Sequence, residues 1–266
     1  MTLHRERSGK VEILRLDRPE ARNAIDPDTS RSIEAALDEV EADPGVWCVV
    51  VTGTGPVFCA GADLKVIAAG QGGEIITARG GFAGITSREL RVPLIAAVNG
   101  AALAGGFEIV LACDLVVAAD TAVFGLPEVQ RGLLAAAGGP VRLAQRVPLA
   151  VALELAMLGD PVPAARAAEL GLVTRVVPAD RVLDEALALA DRIVANSPAA
   201  VRGARRLVLG AADTDRAGGW ALNRDVLREV AASPDGIEGA RAFVEKRAPV
   251  WADPGPPRVN PGSEHS

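Results

Sequence analysis

Two runs of apolar residues, 46–52 and 92–98, each pass directly into a segment built of glycine and alanine. Runs that are apolar throughout, rather than alternating, predict strands covered on both faces, as in parallel sheets flanked by helices. The first small-residue segment is Gly53-Thr-Gly-Pro-Val-Phe-Cys-Ala-Gly-Ala62, and the second covers 101–106. Each leads into helix-like sequence, the first near Asp63 and the second over 107–113. Strand, small-residue loop, helix, repeated, is the pattern of an α/β chain.

The remaining periodicity fills in this outline. Residues 11–16 read as a strand. Asp26-Pro27 reads as an N-cap followed by proline at the first helical position, opening a helix that buries Ile33, Ala36, Leu37 and Val40. The glycine-rich stretch 70–81 is expected to be mobile, and 83–91 to be helical. Strands are expected at 115–118, 122–124 and 173–177, with Glu128 on a loop inside 115–135. Helices are expected at 139–147, 149–158, 163–170, 180–195, 198–210, 216–231 and 237–247. The predicted architecture is an α/β core followed by a helical C-terminal extension. Residues 252–266, rich in Pro and Gly, are expected to be disordered. No residue-level internal repeat is visible.

Composition then removes whole classes of chemistry. The only histidines, His4 and His265, lie at the two ends, and tyrosine is absent. A Ser-His-Asp or Cys-His machine needs an imidazole positioned in the folded body, and a histidine-rich metal site needs several. Acid–base chemistry must fall to carboxylates, Lys or water. The three cysteines have neither disulfide nor zinc spacing and are expected to pack as small buried hydrophobes. The net charge of −6 gives no basic face for nucleic acid. The apolar runs are too short to span a bilayer, and the charged N-terminus does not look like a signal peptide, so a cytoplasmic location is expected.

Two carboxylates stand out. Glu108 sits within the apolar Phe107-Glu-Ile-Val-Leu-Ala, and Glu128 within Phe124-Gly-Leu-Pro-Glu-Val. Each has an ordinary alternative: a charge complementing a helix dipole for Glu108, and an exposed loop carboxylate for Glu128. The small-residue loops bring a further property. Residues without bulk let a ligand approach the backbone, and the first turn of a helix has N–H groups with no internal partner. Two such groups aimed at one point make an oxyanion hole, each donor worth roughly 3 kcal/mol in the transition state. The candidate donors are Ala62 and Gly105. Either loop alone could be an ordinary strand–helix turn, and neither is a P-loop nor a dinucleotide fingerprint.

In five ordered motifs the chain resembles the crotonase (enoyl-CoA hydratase/isomerase) superfamily. They are Arg18-Pro-Glu-Ala-Arg-Asn-Ala24; Gly53 to Leu64; Ile95-Ala-Ala-Val-Asn-Gly-Ala-Ala-Leu-Ala-Gly-Gly-Phe-Glu108; Phe124-Gly-Leu-Pro-Glu128; and Ala242-Phe-Val-Glu-Lys-Arg247. The resemblance implies a spiral of ββα units over 1–195 carrying an acyl-CoA site. It also implies a C-terminal helical oligomerisation region over 196–251 that builds a trimer, or a hexamer of two trimers, ahead of the tail at 252–266. It implies Glu108 and Glu128 as catalytic glutamates and the Ala62 and Gly105 amides as the oxyanion pair. Coenzyme A, part of the substrate rather than a cofactor, would lie along Arg22, Ala24, Ala60, Asp63, Leu64 and Lys65, with Lys65 and Lys246 near its phosphates; solvated surface lysines are the alternative.

Possession of both glutamates favours a hydratase, adding water reversibly and in syn fashion to a 2-enoyl-CoA. Carnitinyl-CoA-type dehydration, Δ3,Δ2-isomerisation, decarboxylation, hydrolysis and non-catalytic acyl-CoA binding are the alternatives. Three departures from the family pattern leave the acyl group open: Ala104 where glycine is frequent, Leu126 where glutamine is frequent, and the altered segment 135–142.

Overall fold

A computed structural model describes residues 2–252. The chain opens with strands β1 (Leu3–Ser8) and β2 (Val11–Leu16), then helix α1 (Pro27–Ala42). Asp26 caps α1 by accepting the Thr29 N–H, as the Asp-Pro pair predicts. Next come β3 (Cys48–Gly53), β4 (Val57–Cys59), the short helix α2 (Leu64–Ala68), and a small hairpin of β5 (Ile76–Thr77) and β6 (Gly81–Phe82). Then follow β7 (Leu94–Val98), β8 (Ala101–Leu103), α3 (Gly105–Ala112), β9 (Leu115–Ala119) and β10 (Val123–Gly125). Helices α4 (Gly139–Arg146) and α5 (Leu149–Leu158), strand β11 (Val162–Pro163), helix α6 (Ala164–Glu169) and strand β12 (Arg175–Val177) complete the sheets. Helices α7 (Val182–Val194), α8 (Pro198–Ala212), α9 (Arg216–Ala231) and α10 (Pro234–Val244) end the described chain.

The strands sort into two main sheets. The larger runs β1-β2-β3-β7-β9-β12, antiparallel only at β1–β2. The smaller runs β11-β10-β8-β4, with β10, β8 and β4 parallel. The chain therefore lays β3 in the first sheet and β4 in the second, then β7 and β8, then β9 and β10. Three successive pairs advance one step each, which is the expected spiral of ββα units. The repeat exists in backbone topology although no residue pattern repeats. All six residues of β3 and all five of β7 are buried, because sheet and helices cover both faces. Helix α7 packs across β3, β7 and β9 and closes the larger sheet.

Several expectations are corrected. Residues 83–91 are not helical: Ala83 and Gly84 take φ of 55° and 67° in succession, which no right-handed helix accommodates. The backbone turns there because Gly84 presses against α1, where an added Cβ would meet the Ser30 carbonyl at 2.6 Å. The stretch 70–81 holds a 3-10 turn and half of the β5–β6 hairpin. The segment 101–106 begins as strand β8, and α3 starts at Gly105. Glu128 lies on a 3-10 turn, Pro127–Arg131. Strand β1 was not anticipated; five of its six residues are exposed, so its apolar signal is weak. Helix α10 starts at Pro234, capped by Ser233. The expected tail beyond Ala252 lies outside the described residues. No helix among the described residues is long and apolar enough to cross a membrane.

Candidate active site

The second strand of each ββ pair ends beside a functional candidate. Ala62 follows β4 by three residues, Gly105 follows β8 by two, and Glu128 follows β10 by three. Since β4, β8 and β10 are adjacent and parallel, their C-terminal ends share one edge of the smaller sheet. Groups more than sixty residues apart in sequence are thereby gathered, at the strand ends where open parallel sheets commonly carry ligands.

The two small-residue loops touch. Gly61 adopts φ of 92°, and a Cβ built there would lie 3.0 Å from the Gly105 nitrogen and 2.8 Å from the Ala104 Cβ. Among the described residues neither the Ala62 nor the Gly105 N–H finds a hydrogen-bond acceptor. Gly105 is the first residue of α3, where the helix supplies none. The ring of Phe82 stands against Gly105, 2.5 Å from where a Cβ would be, and walls this amide on one side. Ala62 is fixed by its neighbours: the Ile25 N–H donates to the Gly61 carbonyl at 2.8 Å, and the Asp63 N–H to the Ile25 carbonyl at 2.9 Å.

The Arg18–Ala24 motif holds that loop in place. The Arg18 guanidinium donates to the Ala24 carbonyl at 2.5 Å and to the Asp63 carboxylate at 3.0 Å. Asn23, at φ of 54°, donates to the carbonyls of Thr54 and Val57. Of the residues expected along coenzyme A, Asp63 is engaged by Arg18 and caps α2 through the Lys65 N–H. Burial pushes its carboxyl up, but Arg18 and the Lys65 N–H outweigh this and leave it below the usual range. The Ala60 N–H donates to the Arg22 carbonyl. Ala24 is buried; Arg22, Leu64 and Lys65 are exposed on this face. Lys246 is exposed just past α10, a helix that packs on α8 and α9.

The two glutamates occupy different settings. Glu108 is 3% exposed. Its Oε1 accepts the N–H groups of Ala137 and Gly139, both at 2.8 Å. Burial raises its carboxyl above the ordinary value, opposed by those two amides and by the Arg142 charge. Glu128 is partly buried, and its Oε2 has no hydrogen-bond partner among the described residues. Burial raises it too, and the nearby charge of Glu108 pushes it further. Burial thus pushes both carboxyls toward the neutral form, opposed at Glu108 by two amides and Arg142 and reinforced at Glu128 by the Glu108 charge. The three cysteines are free and buried, as expected, with burial pushing the thiols of Cys48 and Cys59 up to about 12. Among the described residues no cluster of His, Cys, Asp or Glu could hold a metal ion.

Sequence reasoning missed a third loop. Ala137 and Gly139 supply the amides that fix Glu108, and Arg142 braces them. The signal was available in Ala-Ala-Gly-Gly-Pro, small residues with proline at the start of a helix. Gly61 and Phe82 were also missed, since packing against Ala104 and Gly105 leaves no local pattern.

Two unpartnered amides and two carboxyls in unlike settings thus stand at one edge of a spiral of ββα units. The chain belongs to the enoyl-CoA hydratase/isomerase family, whose model matches residues 6–254. It is similar to the carnitinyl-CoA dehydratase of Proteus mirabilis (strain HI4320), 40% identical over 94% of this chain and 98% of that protein. The crystal structure of enoyl-CoA hydratase from Mycobacterium tuberculosis H37Rv superposes with a TM-score of 0.91 at 42% identity, covering 95% of this chain and 99% of the other. That of carnitinyl-CoA hydratase from Mycobacterium avium gives 0.75 at 44% identity, with the same coverage. The crotonase fold expected from the motifs is the fold observed.

Proposed function

We propose that this crotonase-family hydro-lyase acts as an enoyl-CoA hydratase, adding water reversibly and in syn fashion to a 2-enoyl-CoA. The observation that carries the proposal is the unequal setting of the two glutamates at one sheet edge with two unpartnered amides. The thioester oxygen would lie between the Ala62 and Gly105 N–H groups, which stabilise the negative charge of an enolate. Glu108, whose charged form two amides and the Arg142 charge favour against burial, takes a proton from water as the oxygen bonds to C3. Glu128, pushed toward its neutral form by burial and by the Glu108 charge, gives its proton to C2 from the same side. The cycle leaves Glu108 protonated and Glu128 charged, and proton exchange with solvent restores both. Lys65 and Lys246 are proposed to meet the coenzyme A phosphates.

A second reading is dehydration of a carnitinyl-CoA. It is favoured by relatives of that name near 40% identity and by the Leu126-Pro-Glu-Val form around Glu128. It uses the same groups in reverse, with a substrate that carries a quaternary ammonium. The discriminating experiment incubates purified protein with crotonyl-CoA, with longer 2-enoyl-CoA thioesters and with carnitinyl-CoA. Loss of the conjugated thioester absorbance with the enoyl-CoAs supports hydration. Turnover confined to carnitinyl-CoA replaces it with the second reading, and no turnover of any of them sinks both.

A further inference from the structure

We propose that Arg142 is the positioning residue for Glu108, clamping the backbone whose amides hold that carboxylate. Arg142 lies one turn into α4, and its side chain turns back toward the start of the helix. It donates from Nη1 to the Ala137 carbonyl at 3.1 Å and from Nη2 to the Thr86 carbonyl. Ala137 therefore faces two ways: its carbonyl is held by Arg142, and its N–H by Glu108. The second amide on Glu108, that of Gly139, is the first residue of α4. The anchor at the other end of the guanidinium is equally relevant. Thr86 is bonded through its N–H and its hydroxyl to the carbonyl of Phe82, whose ring walls the Gly105 amide. One side chain thus ties the support of the base to the wall of the oxyanion donor.

The residue type is what makes this more than packing. Arg142 is half-buried, and burial lowers its affinity for its proton. No carboxylate forms an ion pair with it among the described residues, although Glu108 lies near enough to oppose that lowering. A half-buried cation resting on two carbonyls is costly, and an apolar side chain of equal length would fill the space at lower cost. The planar fork of a guanidinium spans two acceptors at once; an ammonium on the same stem does not.

The inference rests on Glu108 being the base of the proposed reaction, and the two can fail separately. The direct test is read on resting protein. Infrared titration with 13C-labelled glutamate, compared with Glu108→Gln to assign the band, follows the Glu108 carboxyl in wild type, Arg142→Met and Arg142→Lys. The charged groups facing Glu108 are Arg142 on α4 and Glu128 on the 3-10 turn. A loosened clamp weakens both amide bonds to the charged form, so the titration moves up in both variants. The lysine variant separates the clamp from the charge, because it keeps the charge. An unmoved Glu108 titration in Arg142→Lys overturns the proposal.

The kinetic arm uses whichever thioester the wild type turns over. Arg142→Met is expected to lower kcat by about a hundredfold with KM little changed. In the Glu108→Gln background the same change is expected to cost less than about twofold further, since its effect passes through Glu108. Equal losses in the two backgrounds would show a merely structural role. If Arg142→Met does not fold, Arg142→Lys carries the same comparison.

Discussion

The methyl of Ala104 fills the space that a side chain on Gly61 would need: a Cβ on Gly61 would fall 2.8 Å from that of Ala104. The two residues belong to different loops, and each has a backbone set for the contact, with φ of 92° at Gly61 and 52° at Ala104. The Ala62 and Gly105 amides are the next groups along each loop, and an added Gly61 Cβ would also fall 3.0 Å from the Gly105 nitrogen.

Gly61→Ala is therefore expected to push the loops apart and to strain a left-handed position. The predicted result is a kcat lowered roughly a hundred- to a thousandfold, the cost of losing one oxyanion donor. Steady-state kinetics on the preferred thioester, with circular dichroism to check folding, makes the measurement. A kcat within twofold of wild type would mean the loops tolerate the separation.

Ala104 carries the opposite prediction. A non-glycine residue at φ 52°, ψ −131° is strained by about 1–3 kcal/mol, while glycine adds roughly 0.5–1 kcal/mol of unfolded-state entropy. Ala104→Gly is expected to raise stability by about 1 kcal/mol, read as a higher denaturant midpoint at unchanged slope.

Replacing either glutamate by glutamine is expected to lower kcat by roughly a hundred- to ten-thousandfold, the range for a lost general acid or base. Near wild-type turnover in both single variants would remove the glutamates from the mechanism. A loss in Glu108→Gln alone would instead point to a one-base reaction such as isomerisation.

The raised carboxyls also predict a stability effect. An acid whose folded value lies above its unfolded value binds protons more tightly in the fold, so stability falls as pH rises between those two values. Glu128→Gln removes that contribution. The difference in Tm between variant and wild type should be flat in acid. It should then move in the variant's favour as pH rises from the ordinary glutamate range through the raised value. A difference independent of pH would show that Glu128 titrates normally.

Trimer formation is expected from the resemblance. Several large apolar side chains on the C-terminal helices face outward, among them Trp220 at 57% and Phe243 at 85% exposure. Sedimentation equilibrium should give three chains per particle or six; a monomer at micromolar concentration contradicts it.

Much of this protein follows from residue order. The apolar runs at 46–52 and 92–98 and the capping pair Asp26-Pro27 report local burial and backbone preference, which act over a few residues. The lack of tyrosine, and of any histidine between His4 and His265, likewise nominates carboxylates without any fold. The motifs carry Ala62, Gly105, Glu108 and Glu128 as candidates. What sequence could not decide is anything set by contacts between distant segments. Residues 83–91 are expected to be helical but are turned by the close approach of Gly84 to Ser30. The repeating ββα units leave no residue repeat, because different side chains satisfy the same backbone pairing. The unequal settings of Glu108 and Glu128 arise from amides at 137 and 139 that only the docking of α4 beside α3 supplies. Ionisation depends on burial and on neighbours within a few ångströms. The chain names the two carboxyls, and the packing of the third loop gives Glu108 the amides of Ala137 and Gly139 as partners.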